Sequence, residues 1–368
     1  MTGFWLAGNR RLAGIDRRGA MIAAALLALV LALSFTALLV PAPPPAARDA
    51  SGRVEAQADV VLYETIVAGL RGGDDYYPVA ARALRAGNYP LRPFITFRLP
   101  TLARLQAAVP DWLVWGVQLS LVAGVLAAWA ARLWPSLTRM APRIALIVLL
   151  FGGLMAFVQL DLAPFHEIWA GLLIALALAM YRPDRVLLTV SITLMAMLIR
   201  ETSALFALIM FLTAISERRW REAAAWVGAV AVLGAVVAAH AHAVSMVVTP
   251  LDPVSPGWSG MLGPGHFFRT MGISTALTLA PVWLAAPVVA LALFGWASWR
   301  SAMAARTLGT LAAYGLLLAL FGRLDTFYWG LLVAPLVLPG LIFVPDALRD
   351  LTLALLDRQT PRVQKSAA

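Results

Sequence analysis

The chain has 368 residues, of which 61% are hydrophobic and 13% charged, with a formal net charge of +10. A soluble domain carries roughly 25% charged residues, so a chain this apolar has lipid as its solvent. The basic balance does not call for nucleic acid, because positive charge collects in the cytoplasmic loops of membrane proteins. Cysteine is absent, which excludes a disulfide, a thiolate nucleophile and a Cys-based metal site. Lys365 is the only lysine, an arginine bias that fits a GC-rich bacterial genome.

Arg10, Arg11, Arg17 and Arg18 face one acid, Asp16, before an uninterrupted apolar run over 21–40. That run is long enough to cross the hydrocarbon core and exceeds the roughly 7–15 residues of a signal-peptide core. It reads as a signal anchor with the N-terminus in the cytoplasm. The Pro-Ala stretch 41–47 keeps cleavage as the competing reading. The segment 41–110 reads as a long external loop. Within it, 60–70 and 79–85 have helical apolar spacing and read as amphipathic helices on the membrane surface.

Apolar spans then follow over 111–134, 144–160 and 168–181. The stretch 186–216 is apolar except for Arg200-Glu201 at its middle. As one helix it would bury both charges near the midplane. As two short spans it puts them at the outer end, with Arg218, Arg219 and Arg221 inside. The cost of charge in lipid and the positive-inside rule both favour two. Spans over 223–244, 276–296, 307–321 and 327–344 complete the set, with a Pro- and Gly-rich external loop over 245–274. The fold class expected is an all-α membrane protein of about ten transmembrane helices, with both termini cytoplasmic. It divides into a transmembrane domain, 1–345, and an amphipathic, basic tail, 346–368, that carries Leu348, Leu351 and Leu355 on one face and ends in Arg358, Arg362 and Lys365.

This topology gathers ionisable residues on the outer side, where such residues are functional candidates. Asp74 and Asp75 precede Pro78, a first-turn proline, and Gly87 is the expected C-cap. At a helix N-terminus the dipole favours an ionised carboxylate, which can take a proton from a hydroxyl nucleophile. The competing reading is an N-cap with a solvated neighbour. Tyr76 and Tyr77 offer faces for a sugar or anchors at the interface. Arg200 can hold a phosphate bidentately; alternatively, Arg200 and Glu201 form a closed ion pair sealing two helix ends. His166 and Glu167 open a span as substrate ligands or as caps. Arg98, His266 and Arg269 join the same side. Arg323 and Asp325 flank a turn, where a local salt bridge competes with substrate binding. His240 and His242 do not share a helical face, which argues against a metal site there.

The pattern Asp74-Asp75-Tyr76-Tyr77, then Ala80-Ala81, Ala83-Leu84, Gly87 and Tyr89-Pro90, resembles the first external loop of GT-C glycosyltransferases. So does the block beginning Glu167-Ile168-Trp169-Ala170-Gly171, with its later short spans joined at Arg200-Glu201 and closed by Arg218-Arg219. The stretch Asp325-Thr326-Phe327-Tyr328-Trp329-Gly330 is similar as well. The resemblance implies an integral membrane enzyme that takes a sugar from a polyprenyl-phosphate donor. An acid of the first external loop, Asp74 or Asp75, would be the general base, and Arg200 with Arg98 or Arg269 would meet the leaving phosphate. A monophosphate opposed by arginine requires no metal, so no cofactor is expected, although a divalent ion stays open. The partners implied are membrane lipid, the lipid-linked donor and a glycan, lipid or protein acceptor. A transporter or flippase for a lipid-linked or anionic solute, and a non-catalytic envelope-assembly protein, are the alternatives.

Overall fold

The computed structural model describes residues 4–41 and 58–356. Most of the Pro-Ala stretch, part of the long loop, and Arg358, Arg362 and Lys365 of the tail lie outside the described residues. All regular elements among the described residues are helical. Helix α1 (Arg17–Phe35) is followed by α2 (Ala58–Arg71), α3 (Tyr76–Ala86), α4 (Thr101–Ala107), α5 (Asp111–Leu133) and α6 (Met140–Gly153). Then come α7 (His166–Met180), α8 (Val186–Ile199), α9 (Ala204–Ser216) and α10 (Trp220–Ser245), and finally α11 (Pro264–Ile273), α12 (Val282–Ser298), α13 (Ala302–Phe321) and α14 (Val344–Leu356).

Four helical stretches are long and apolar enough to cross a membrane, Arg17–Leu38, Asp111–Ser136, Trp220–Ser245 and Ala302–Phe321, or five if the bent pair Leu324–Leu332 and Ala334–Leu356 counts as one span. The first three have only 11%, 28% and 22% of their most apolar window buried inside the molecule. Their apolar faces point outward, the arrangement that lipid favours and water does not.

The stretch 186–216 is divided. The backbone leaves the helix at Arg200 (φ −140°, ψ 106°) and resumes at Ala204. The start of α8 and the start of α10 line one cleft, so α8 and α9 form a hairpin whose tip is Arg200-Glu201. The 14 residues of α8 reach roughly 21 Å at about 1.5 Å per residue.

Two expected elements differ. The segment 327–344 is not a straight α-helix. It is a succession of 3-10 turns, Leu324–Leu332, Ala334–Leu336 and Leu338–Phe343, and Leu332, Val333, Ala334, Leu336 and Val337 are fully buried. Pro335 and Pro339 have no N–H to give an α-helix, and packing on all sides replaces the lost regularity. Gly171 of α7 permits this packing, since a Cβ there would collide with the Leu331 carbonyl. The loop 245–274 also ends as a helix, α11, with Gly265, His266, Phe267, Phe268 and Met271 buried. Gly265 lets α11 lie directly against the backbone at Thr36.

The two ends of the bundle differ in chemistry. At one end the N-terminal segment crosses the turns after α5 and α12, bridging at Leu6–Leu137 and Arg10–Trp299. Buried Asp346 of α14 accepts the backbone N–H groups of Phe4, Trp5 (2.7 Å) and Leu6 (2.9 Å), and Arg10 pairs with Asp350 at 2.6 Å. Helix α14, the start of the expected surface tail, therefore docks through Ala347 and Leu351 on Leu12 and Ala20. At the same end Arg306 grips Glu217 with two bonds of 2.8 Å and the Tyr181 hydroxyl at 2.9 Å, tying α7, α9 and α13 together. The opposite end holds Arg200-Glu201, α2, α3 and a cavity.

Candidate functional site

Helix α2 puts Asp59, Leu62, Tyr63 and Ile66 on one face by the spacing i, i+3, i+4, i+7. Helix α3 turns Tyr76, Ala80 and Leu84 to the same side by the spacing i, i+4, i+8. These faces, the Arg200-Glu201 tip and the segment from Arg323 to Trp329 enclose a cavity of about 570 Å³. Trp258 and Pro256 close it from the long loop before α11.

Buried charge lines its inner wall. Arg200, 2% exposed, donates through Nε to Glu167 Oε1 at 2.6 Å and through Nη1 to Glu201 Oε1. Arg98 lies 3.7 Å from the same Glu167 oxygen and donates through Nε to the Tyr63 hydroxyl at 3.0 Å. Tyr76 donates its hydroxyl to the Arg98 carbonyl at 2.6 Å, which ties α3 to the strip that carries this arginine. Glu167, fully buried, thus joins α7, the α8–α9 tip and the first loop. The guanidinium of Arg200 also faces the Trp329 ring, 6.0 Å from its centroid. Arg98 Nη1 and Arg200 Nη2 have no protein hydrogen-bond partner among the described residues.

Asp59 stands on the outer wall. Its carboxylate accepts the Tyr89 hydroxyl at 2.8 Å. Burial pushes the Asp59 carboxyl above the ordinary carboxylate range, the Tyr89 hydrogen bond and the Arg98 charge pull it back, and Glu167 and Asp325 add to the rise. Arg323 and Asp325, paired at 2.6 Å, sit at the same cavity, and Arg323 also donates to the Gly257 carbonyl at 3.3 Å.

The expected pair of acids stands elsewhere. Asp74 is exposed and bonded to Arg82, and Asp75 is an exposed N-cap whose side chain makes no capping bond. Neither lines the cavity. Both precede the first turn of α3, on a bend set by Gly73 at φ 93°, while the face of α3 that meets the cavity begins at Tyr76. Tyr77 turns to α10, its hydroxyl 3.2 Å from His240 Nδ1. His166 is buried beneath Tyr63, with ring centroids 4.9 Å apart, and does not line the cavity. His266 and Arg269 belong to buried α11. Arg269 donates to the Val40 carbonyl at 2.9 Å, which fastens the segment after α1, and it does not line this cavity.

The structure thus brings together Tyr76, Arg98, Arg200, Glu201, Arg323 and Asp325, with Glu167 directly behind them. Asp59, Tyr63 and Trp258 were missed by sequence reasoning, and Tyr89 was singled out only as part of the Tyr89-Pro90 motif. Asp59 had a legible signal: it opens a helical face with Leu62, Tyr63 and Ile66, and it is the one acid on that face. Trp258 had none, because it lies in an irregular loop. Among the described residues no group of three or more His, Asp or Glu is close enough to hold a metal ion. Compared with protein-family models, curated proteins and solved structures, the chain matches none.

Proposed function

We propose that the chain is an inverting glycosyltransferase of GT-C type, moving a hexose or pentose from a polyprenyl-phosphate donor to an acceptor hydroxyl. The observation that carries this reading is the opposition, in one cavity, of a half-buried carboxylate, Asp59, to two guanidinium groups that keep free donors, Arg98 and Arg200. A carboxylate whose proton affinity is raised by burial is a better general base near neutral pH. Asp59 takes the acceptor's proton as its oxygen attacks the anomeric carbon. The bond from that carbon to the phosphate oxygen breaks, its electron pair leaves on the polyprenyl phosphate, and the single displacement inverts the centre. Arg98 and Arg200 meet the developing phosphate charge. Their carboxylate partners hold them in place beforehand, so no reorganisation is needed at the moment of reaction. Tyr328 and Trp258 offer ring faces to the sugar, and buried Tyr76 holds the strip that carries Arg98.

In this reading the chain crosses a bacterial inner membrane about ten times, counting the shorter apolar helices and the 3-10 segment as crossings. Both termini lie in the cytoplasm, and the long first loop lies outside. The arginine-rich end is cytoplasmic by the positive-inside rule, so the cavity opens to the cell-envelope side. Short helices such as α8 and α9 fit this reading because they end at a polar cavity rather than in lipid.

The test is reconstitution in liposomes with polyprenyl-phosphate-linked, radiolabelled hexoses and pentoses and with membrane-derived acceptors. The expected result is label on an acceptor with the anomeric configuration inverted, and release of polyprenyl phosphate. Passage of the donor between leaflets with no release of polyprenyl phosphate would contradict the proposal and point to a transporter.

A further inference from the structure

At the end of the bundle opposite the cavity, α5, α7 and α8 leave a cleft of about 780 Å³. Three arginines line it: Arg132 at the end of α5, Arg182 just after α7 and Arg185 at the start of α8. Two arginines nearby are neutralised within the chain, Arg306 by Glu217 and Arg219 by Glu217 and Glu222. Those of the cleft are not. The side chains of Arg132 and Arg182 have no hydrogen bond or ion pair among the described residues, and the Arg185 side chain has only its exposed neighbour Asp184, at 3.8 Å. Three like charges sharing one cleft repel one another unless an anion sits among them.

Below the arginines the walls turn apolar. On α5, Gly124, Ala128 and Ala131 are small and leave a groove, with Leu176, Met180 and Leu188 across it. From Arg132 to Gly124 the groove runs roughly 12 Å down the helix at about 1.5 Å per residue. A soluble anion has no use for such walls, whereas a lipid with a charged head and an acyl chain matches both parts. Basic pockets between helices at the cytoplasmic face take anionic lipid head groups, and planar guanidinium groups suit a phosphate diester.

We propose that this cleft binds an anionic phospholipid of the surrounding leaflet, its phosphate held by Arg132, Arg182 and Arg185 and one acyl chain lying along α5. The site is separate from the cavity at the other end and stands whether or not that cavity transfers sugar.

The test uses the full chain in neutral phosphatidylcholine nanodiscs, titrated with phosphatidylglycerol and read by native mass spectrometry and by melting temperature. The wild type retains phosphatidylglycerol and melts higher with it. The double variant R132Q/R182Q loses affinity by about tenfold or more, while R139Q/R300Q, which removes two arginines outside the cleft, stays within about twofold. Arg182 is exposed, so R182Q alone keeps the comparison open if the double variant does not fold, and it loses affinity too. Equal loss in the cleft and control variants would overturn the proposal. So would equal retention of phosphatidylcholine, or the same protection by inorganic phosphate alone.

Discussion

Tyr89 donates its hydroxyl to the Asp59 carboxylate at 2.8 Å, linking the strip after α3 to the first turn of α2 at the cavity wall. This bond favours the ionised acid, while burial favours the neutral one. A base must be ionised to accept a proton, so turnover is lost as pH falls through the Asp59 pKa. Because burial is the larger influence, the acid limb of the kcat/KM profile falls above the ordinary carboxylate range. Y89F removes the bond that lowers the pKa, so the limb moves to higher pH, with fold retained by circular dichroism. A limb unmoved in Y89F would separate the bond from catalysis.

Glu167 is fully buried and holds Arg200 at 2.6 Å, with Arg98 at 3.7 Å. Removing one partner of a buried pair leaves an uncompensated charge, at a cost of about 3–5 kcal/mol. E167A is expected to lower the melting temperature in detergent sharply and to abolish transfer. The double variant E167A/R200M, which removes charge from both sides, recovers part of that stability and none of the activity. Equal melting temperatures for E167A and the wild type would contradict the buried-pair account.

Arg85 holds Asp252 through two bonds of 2.8 Å, clasping α3 to the loop after α10. These bonds, with Thr249, hold the Asp252 carboxyl well below the usual carboxylate range. A depressed pKa contributes stability that is present above the unfolded value of about 3.9 and lost as pH falls through the folded value. D252N gives up this contribution at neutral pH. Faster hydrogen exchange over 245–263, without a change in the core helices, is the expected readout.

Gly171 sits where a Cβ would strike the Leu331 carbonyl, so α7 and the 3-10 segment meet backbone to backbone. G171A forces them apart, at a cost of about 1–3 kcal/mol as other overpacked cores show. Glu167 lies one turn away on α7, so kcat is expected to fall more than KM rises. An unchanged melting temperature in G171A would show that the two elements can separate freely.

Much of the bundle was legible. Apolar run lengths marked α1, α5, α10 and α13, and the charge pair at Arg200-Glu201 correctly divided 186–216, since no lipid-facing helix tolerates both groups at its middle. The spacing in 60–70 and 79–85 anticipated α2 and α3. The 3-10 course of 324–343 was read as a spanning helix from its apolar composition; Pro335 and Pro339 were the signal against that, and packing against Gly171 completes the 3-10 course. Helix α11 was hidden by the Pro and Gly content of its loop. At the site, Asp74-Asp75 drew attention as a doublet, yet residues before a helix's first turn lie off the face the helix packs with. Asp59 was passed over because the helical spacing was read from residue 60, which left this acid outside the helix that in fact begins at Ala58. Arg323–Asp325 adopts the local salt bridge that its two-residue spacing allows, though at the cavity edge.

In the proposed mechanism Asp59, and not Asp74 or Asp75, accepts the acceptor's proton. The most direct measurement is initial-rate transfer of labelled sugar from a polyprenyl-phosphate donor by D59N and by the double variant D74N/D75N, each matched to wild type for amount and melting temperature. The expected result is a fall of about 10²–10⁴-fold in kcat for D59N and a rate within about threefold of wild type for D74N/D75N, whose carboxylates lie outside the cavity. Full activity in D59N, or loss confined to D74N/D75N, would contradict it.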